Sequence, residues 1–172
     1  MSDDTMPFRN DIDWAGFVPR VVVLTSVLAL ATAYVAEYGF ALKPCNLCLW
    51  QRVPYFVAGG LSLAALATGA GTRRTVLLAL CGVAFAVGGG LAIHHIGVEQ
   101  HWWGSVASCG GELPIAMEAG DLMAALSAPP DPACDAPTWV MFGISAATYN
   151  AVLSFALAGF TLCGLIRIRS NA

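Results

Sequence analysis

Cys45 and Cys48 form a Cys-x-x-Cys pair, and Arg52 follows four residues later. A disulfide across two intervening residues closes almost no loop and adds little stability, so this arrangement is typical of redox-active pairs. A second pair, Cys109 and Cys134, lies in a segment rich in Gly and Pro. There a structural disulfide would be natural and would contribute roughly 3 kcal/mol through chain entropy. The four cysteines permit structural disulfides, a four-cysteine metal site, or a relay for thiol–disulfide exchange.

Spacing makes the metal site the less favoured of these hypotheses. Cys-x-x-Cys is a common zinc half-site, but Cys109 and Cys134 do not repeat that spacing. No His follows Cys48, as haem attachment would require. We therefore expect a redox site with no metal, and a non-catalytic membrane protein with a four-cysteine metal site stays open as the alternative.

The composition indicates one integral membrane domain. Of the 172 residues, 58% are hydrophobic and only 11% are charged, and the mean hydropathy is +0.70, which is too apolar for an ordinary soluble domain. The net charge of -3 provides no basic surface for phosphates, so no nucleic-acid partner is expected.

Four apolar segments have about the 20 residues that a helix needs to cross a bilayer. They are Val21–Phe40, Val53–Thr72, Thr75–Val98 and a segment within Thr138–Ile166. The predicted fold is an all-α membrane protein, a four-transmembrane-helix bundle over residues 21–169, between an N-terminal tail (1–20) and a short C-terminal end (170–172). Its loops lie at about 41–52 and 99–139.

Two local patterns refine this prediction. In the second loop Ile115, Ala119, Leu122 and Leu126 fall on one helical face, which predicts a short helix, either at the membrane interface or packed on its own loop. In the third span the run Gly88 to Gly90 predicts close approach of another helix.

The arginines predict the orientation. Six of the eight basic residues lie in the two termini or between the second and third spans: Arg9, Arg20, Arg73, Arg74, Arg167 and Arg169. Because cytoplasmic segments carry the excess of Lys and Arg, we predict that both termini are cytoplasmic and that the two cysteine-bearing loops lie on the non-cytoplasmic face. Cys81 and Cys163 fall within spans, where a cysteine behaves as a small apolar residue.

Arg52 lies where the charge bias and the helix dipole both disfavour a cation, on the non-cytoplasmic side near the start of the second span. We interpret it as functional: the guanidinium would favour a thiolate at Cys48 and would hydrogen-bond a polarised carbonyl of a ligand at the interface. Snorkelling to lipid phosphate is the alternative.

The order of the spans, Lys43-Pro44-Cys45-x-x-Cys48 with Arg52, and a second loop with Cys109 and Cys134 together resemble the bacterial disulfide bond formation protein B family. The resemblance extends from about Val18 to Arg169. It implies a four-helix inner-membrane protein that reoxidises a periplasmic thioredoxin-like dithiol oxidase (protein A of the same pathway). It also implies that the electrons pass to ubiquinone or menaquinone in the lipid bilayer.

The resemblance also implies roles for these residues. Cys109 would form the mixed disulfide with the partner and Cys134 would be its loop partner. Cys45 would exchange with the loop pair, Cys48 would face the quinone, and Arg52 would help to bind it. A vitamin K epoxide reductase-like quinone oxidoreductase is a less favoured alternative, because that family places its redox pair near the end of a late span.

Two histidines and a glutamate at the end of the third span are further candidates. His94 and His95 are adjacent and do not share a helix face, so at most one should point at the site. From their position, His95 and Glu99 are candidates to handle the protons of a quinone.

Overall fold

The protein is described by a computed structural model over residues 13–104, 133–137 and 139–170. In chain order its elements are α1 (Trp14–Tyr34), a π-helical turn (Val35–Gly39), α2 (Asn46–Trp50), α3 (Val53–Ala67), α4 (Thr72–Glu99), β1 (Val140–Met141), β2 (Ile144–Ser145) and α5 (Ala146–Ser170). The two strands pair antiparallel as a small hairpin that the all-α prediction did not include. It turns through Phe142 and Gly143, both with positive φ.

Three segments among the described residues are long and apolar enough to cross a membrane: Trp14–Gly39, Thr72–Glu99 and Ala146–Ser170. The prediction of a helical membrane protein is thus confirmed. The second predicted span forms α3, whose 15 residues extend about 22 Å at ~1.5 Å per residue, less than a ~30 Å hydrocarbon core. Four spans therefore remain a prediction.

The four longer helices pack as a closed bundle, with α3 against α1 and α4, and α5 against α4 and α1. Close approach depends on the glycines of α4. A Cβ on Gly88 would lie 3.0 Å from the ring of Pro54 in α3, and one on Gly89 would lie 2.8 Å from the ring of Phe155 in α5. The predicted role of the glycine run is confirmed at these two positions, whereas Gly90 faces open space.

The first helix begins earlier than its apolar run suggests. It starts at Trp14 rather than Val21, because the Asp13 carboxylate accepts a hydrogen bond from the Gly16 backbone N–H at 3.1 Å and caps the first turn. The predicted boundary of the N-terminal tail at residue 20 is therefore wrong, because the helix begins at Trp14 and includes Arg20.

The bundle carries apolar residues outside and small polar residues inside. Leu24, Val83, Val152 and Ile166 are more than half exposed on the outer faces, while Ser26, Ser62, Ser154 and Thr161 are buried. This pattern is typical of helices that face lipid and pack through small residues. The two cysteines within the spans are free thiols, Cys81 buried and Cys163 exposed.

Arg74, Arg167 and Arg169 lie at the end of the bundle opposite the cysteine pair. The Arg74 guanidinium donates to the carbonyl oxygens of Ala65 at 3.0 Å and Ala15 at 3.4 Å, joining the ends of α1, α3 and α4. Arg167 and Arg169 lie in the last turn of α5, at this same end. The Cys-x-x-Cys segment packs at the far end, beside the last turns of α4.

Candidate redox site

The Cys-x-x-Cys pair is shaped by the short helix α2. Cys45 is its N-cap residue, and its sulfur accepts a hydrogen bond from the Cys48 backbone N–H at 3.3 Å. One helical turn then brings the two side chains together, and the Sγ atoms lie 2.7 Å apart, in hydrogen-bond contact. Cys45 is 2% exposed, whereas Cys48 is partly exposed. The two sulfurs therefore occupy different surroundings.

The environment of Cys45 favours its protonated form. The hydrogen bond with the Cys48 side chain and, after it, burial raise the pKa of the Cys45 thiol far above its ordinary range. In the reduced pair the proton therefore stays on Cys45 at neutral pH. A thiol of this kind is also a poor leaving group in disulfide exchange, since exchange is faster when the departing thiol has a low pKa.

Cys134 packs against the same pair. It is disulfide-bonded and 1% exposed, and it lies in one buried cluster with Cys45, Leu47 and Val98. The fold thus brings three of the four predicted redox cysteines together although they are far apart in the sequence. Cys109 lies outside the described residues, as does the predicted short helix over Ile115 to Leu126.

A cavity of about 310 Å³ opens beside the pair. Its walls are mostly apolar, and residues of α1, α3, α4 and α5 contribute to them. The polar groups on the wall include Cys48, Arg52 and His95, while Cys45 does not line the cavity. A volume of this order, with apolar walls and a few convergent polar groups, is typical of a small-molecule site.

Arg52 is held at the cavity wall by a carboxylate. Its Nη1 donates to Oε2 of Glu37, in the π-helical turn, at 2.6 Å, and its guanidinium lies 4.9 Å from the ring centre of Tyr34. The side chain of Arg52 is only 13% exposed. Within the described residues, the Glu37 carboxylate is thus the ion-pair partner of this cation.

A chain of side-chain hydrogen bonds links α5 to the cysteine pair. The Tyr55 hydroxyl donates to Oδ1 of Asn150 at 2.6 Å, and Nδ2 of Asn150 donates to Oε1 of Gln51. The amide nitrogen of Gln51 then lies 2.6 Å from Nδ1 of His95. Nε2 of His95 in turn lies 3.6 Å from the sulfur of Cys45.

The two adjacent histidines point in different directions. His95 is buried and lines the cavity, with its Nε2 also 3.8 Å from Oε1 of Glu99. His94 packs instead on the ring of Trp103, with ring centres 5.9 Å apart. The structure thus places His95, and not His94, at the site. This agrees with the prediction that at most one of two adjacent histidines would point there.

Sequence reasoning missed several side chains of the site, among them Glu37, Gln51 and Asn150. Glu37 carried a usable signal, because it is the only charge in the first apolar segment, and a charge at such a position usually has a named partner. Gln51 and Asn150 carried no such signal, because a single uncharged amide side chain in a loop or in a span is common in proteins without any functional role.

Cys45, Cys48 and His95 also form a possible metal site, because their three ligand atoms lie within 4.8 Å of one another. Cys134, which packs beside them, is disulfide-bonded, so it does not offer a thiolate ligand in this state. A redox site with no metal stays a prediction.

Comparison with known protein families matches residues 17–164 to the family described as disulfide bond formation protein DsbB. The chain belongs to the DsbB family. The resemblance drawn from the cysteine spacing is thus confirmed, and this DsbB-family chain is a helical membrane protein of disulfide bond formation.

Curated relatives agree with the family. The disulfide bond formation protein B of Methylobacillus flagellatus is 31% identical over 133 residues, covering 76% of this chain and 79% of that protein. That of Stutzerimonas stutzeri is 29% identical over 150 residues, covering 86% and 92%. An uncharacterized protein of Rickettsia prowazekii is 30% identical over 153 residues, covering 88% of each chain. No solved structure matches the chain significantly.

Proposed function

We propose that this DsbB-family protein is a protein-dithiol:quinone oxidoreductase of the bacterial inner membrane. It reoxidises a periplasmic thioredoxin-like dithiol oxidase and passes the electrons to ubiquinone or menaquinone. The observation that carries the proposal is the division of the cysteine pair: Cys48 lies on the wall of an apolar cavity, while Cys45 is buried in one cluster with the disulfide-bonded Cys134. One sulfur faces a ligand site and the other faces the second redox loop.

The exchange steps follow from this division. A partner thiolate attacks Cys109 and releases Cys134 as a thiolate. Cys134 attacks the Cys45 sulfur in the Cys45–Cys48 disulfide, and the electron pair of the broken bond passes to Cys48. The partner's second thiol displaces Cys109, which then attacks Cys134, so the loop disulfide reforms and Cys45 departs as a thiolate. The net result is an oxidised partner and a reduced Cys45–Cys48 pair.

The cavity residues fit a quinone head group. The walls offer apolar contact for a ring, the Cys48 sulfur lies on the wall, and Arg52 offers guanidinium N–H donors to a carbonyl oxygen. Glu37 uses one of these donors and holds the guanidinium in place. A bound quinone would accept two electrons and two protons from the reduced pair.

Four crossings and a cytoplasmic location of both termini complete the proposal. The second crossing would be made by α3 together with the uncharged residues that follow it up to Thr72. Arg73, Arg74, Arg167 and Arg169 lie at the end opposite Cys45 and Cys48, which supports a cytoplasmic arginine-rich end and a periplasmic cysteine end.

The test is optical measurement of quinone reduction by detergent-purified protein given a reduced periplasmic thioredoxin-like oxidase. We expect turnover by the wild type, none by Cys48→Ala, and a raised quinone KM for Arg52→Ala. Cys163→Ala is the matched control, because it removes a free thiol from the exposed face of α5 and should retain full activity.

A wild type that leaves the quinone unchanged with such a partner, while its loop cysteines prove unreactive, would contradict the proposal. The cysteines would then be structural. Activity that survives Cys48→Ala would equally contradict the assignment of Cys48 to the cavity side of the relay.

A further inference from the structure

The hydrogen-bond chain that ends at His95 fixes which ring nitrogen carries the proton. Nδ2 of Asn150 donates to Oε1 of Gln51, so the other end of that amide, the Nε2 donor, faces His95. Nδ1 of His95 therefore accepts a hydrogen bond and carries no proton. The neutral imidazole must then hold its proton on Nε2.

The other end of this series of hydrogen bonds, at Tyr55 and Ser154, supports the same donor-to-acceptor direction. The Tyr55 hydroxyl donates to Oδ1 of Asn150 at 2.6 Å, and the Ser154 hydroxyl donates to the same oxygen at 3.3 Å. With both hydroxyls donating to Oδ1, the Nδ2 of Asn150 is left to donate to Gln51. Four side chains from α3, α5 and the turn before α3 thus act together on a single imidazole.

The proton on Nε2 faces the Cys45 sulfur, 3.6 Å away, which is within reach for a hydrogen bond to sulfur. Oε1 of Glu99 lies 3.8 Å from the same nitrogen, beyond an ordinary N–H···O bond. Cys45 is thus the acceptor that the geometry favours.

We propose that His95 is a catalytic residue of the thiol exchange: held in its Nε2–H tautomer by Gln51 and Asn150, it donates a hydrogen bond to the Cys45 sulfur and favours the departure of that sulfur as a thiolate. This inference rests on the proposed exchange sequence. There the bond between Cys45 and Cys134 breaks, the bond between Cys134 and Cys109 forms, and the electron pair passes to Cys45. No proton is transferred in this step.

The need for such a donor follows from the burial of Cys45. A thiolate forming at a sulfur that is 2% exposed receives almost no stabilisation from water. The Cys48 backbone N–H, at 3.3 Å, supplies one hydrogen bond, and His95, in α4, supplies a second. Both donors are already in place before the charge develops.

Other charged and titratable groups surround the imidazole. Among the described residues, Glu99 and His94 share its helix, Cys45 and Cys48 lie on the α2 side, and Lys43, Arg52, Tyr55 and Tyr149 line the same cavity. Arg52 is paired with Glu37, and Glu99 receives a hydrogen bond from Ser145. All the variants compared below lack Cys48 and one of them replaces His94, but the other groups named here are the same in every variant.

The test is the titration of Cys45 in fully reduced Cys48→Ala protein, followed by the pH dependence of its alkylation by iodoacetamide. Mass spectrometry of the Cys45 peptide separates this thiol from the others. Adding His95→Leu should raise the apparent pKa of Cys45 by about one pH unit, because a hydrogen bond to the thiolate is lost. His95→Gln retains an N–H donor of similar reach and should recover part of that change.

His94→Leu is the matched control, because it makes the same change at the neighbouring residue that packs on Trp103, and the titration should not move. Equal titrations for His95→Leu and its parent, or equal changes for His94→Leu and His95→Leu, would overturn the inference. The titration needs neither quinone nor partner, so its outcome is independent of whether the proposed overall function holds.

The tautomer is tested separately in the wild-type chain by nitrogen NMR of protein labelled at histidine. We expect the Nε2–H form for His95, and its loss or mixing in Gln51→Met, a variant that does not touch Cys45. An Nδ1–H form in the wild type would overturn the inference even if the leucine variant failed to fold.

Discussion

The ion pair between Glu37 and Arg52 should control the affinity of the cavity for its ligand. Two unit charges about 4 Å apart attract by about 4 kcal/mol at an effective dielectric constant near 20. The side chains are 13% and 21% exposed, so solvent screening and desolvation reduce the net coupling to about 1 or 2 kcal/mol. Since about 1.4 kcal/mol corresponds to a factor of ten, Glu37→Gln should raise the quinone KM roughly tenfold.

The assay is the quinone dependence of turnover for wild type, Glu37→Gln, Arg52→Ala and the double variant. If Glu37 acts only by placing the guanidinium, adding Glu37→Gln to Arg52→Ala should cause no further rise in KM. Asp13→Asn is the matched control, because it makes the same carboxylate-to-amide change at the far end of α1, where Asn also caps a helix well.

Two results would refute this reasoning. An unchanged KM in Glu37→Gln would show that Arg52 does not depend on its ion pair for position. Effects that multiply in the double variant would show that Glu37 acts on the ligand independently of Arg52.

Two further predictions concern stability. Gly88→Ala should lower the thermal midpoint of unfolding relative to Gly90→Ala, by the equivalent of about 1 to 3 kcal/mol. Both changes gain helix propensity, but only the first crowds Pro54. Equal midpoints in detergent would contradict the packing described. Folding raises the pKa of the Cys45 thiol above its value in the unfolded chain, which is about 8.5. The stabilisation that this shift gives the fully reduced protein is complete below that pH and is lost as the pH rises towards the folded pKa. Melting curves of reduced wild type and reduced Cys45→Ser test this, and equal slopes against pH would be the contrary result.

Apolar periodicity and cysteine spacing predicted much of this molecule. Membrane helices can be recognised from composition because lipid requires long apolar segments, and α4 lies close to its predicted bounds. The start of α1 could not be placed from hydropathy alone, because the helix capped at Asp13 runs through Pro19 and Arg20, which interrupt the apolar sequence. The shorter length of α3 has a similar origin, since Thr68 ends the helix inside an apolar run.

The site was predictable only in part. The Cys-x-x-Cys pair and Arg52 stand out because their residue types conflict with a plain membrane helix. The partners of these residues come from other helices: Glu37 from the turn after α1, and Asn150 from α5. Such contacts depend on how the helices are rotated relative to one another. Glycines and other small residues at the helix interfaces determine that rotation, and the sequence of one helix does not reveal it.

The most direct test of the account is a single turnover without the partner. Pre-reduced protein is mixed anaerobically with quinone, quinone absorbance is followed, and the Cys45–Cys48 disulfide is quantified by mass spectrometry. We predict that one quinone is reduced for each Cys45–Cys48 disulfide formed, and that neither change occurs in Cys48→Ala. Quinone consumption without that disulfide, or the disulfide without quinone consumption, would contradict the central claim.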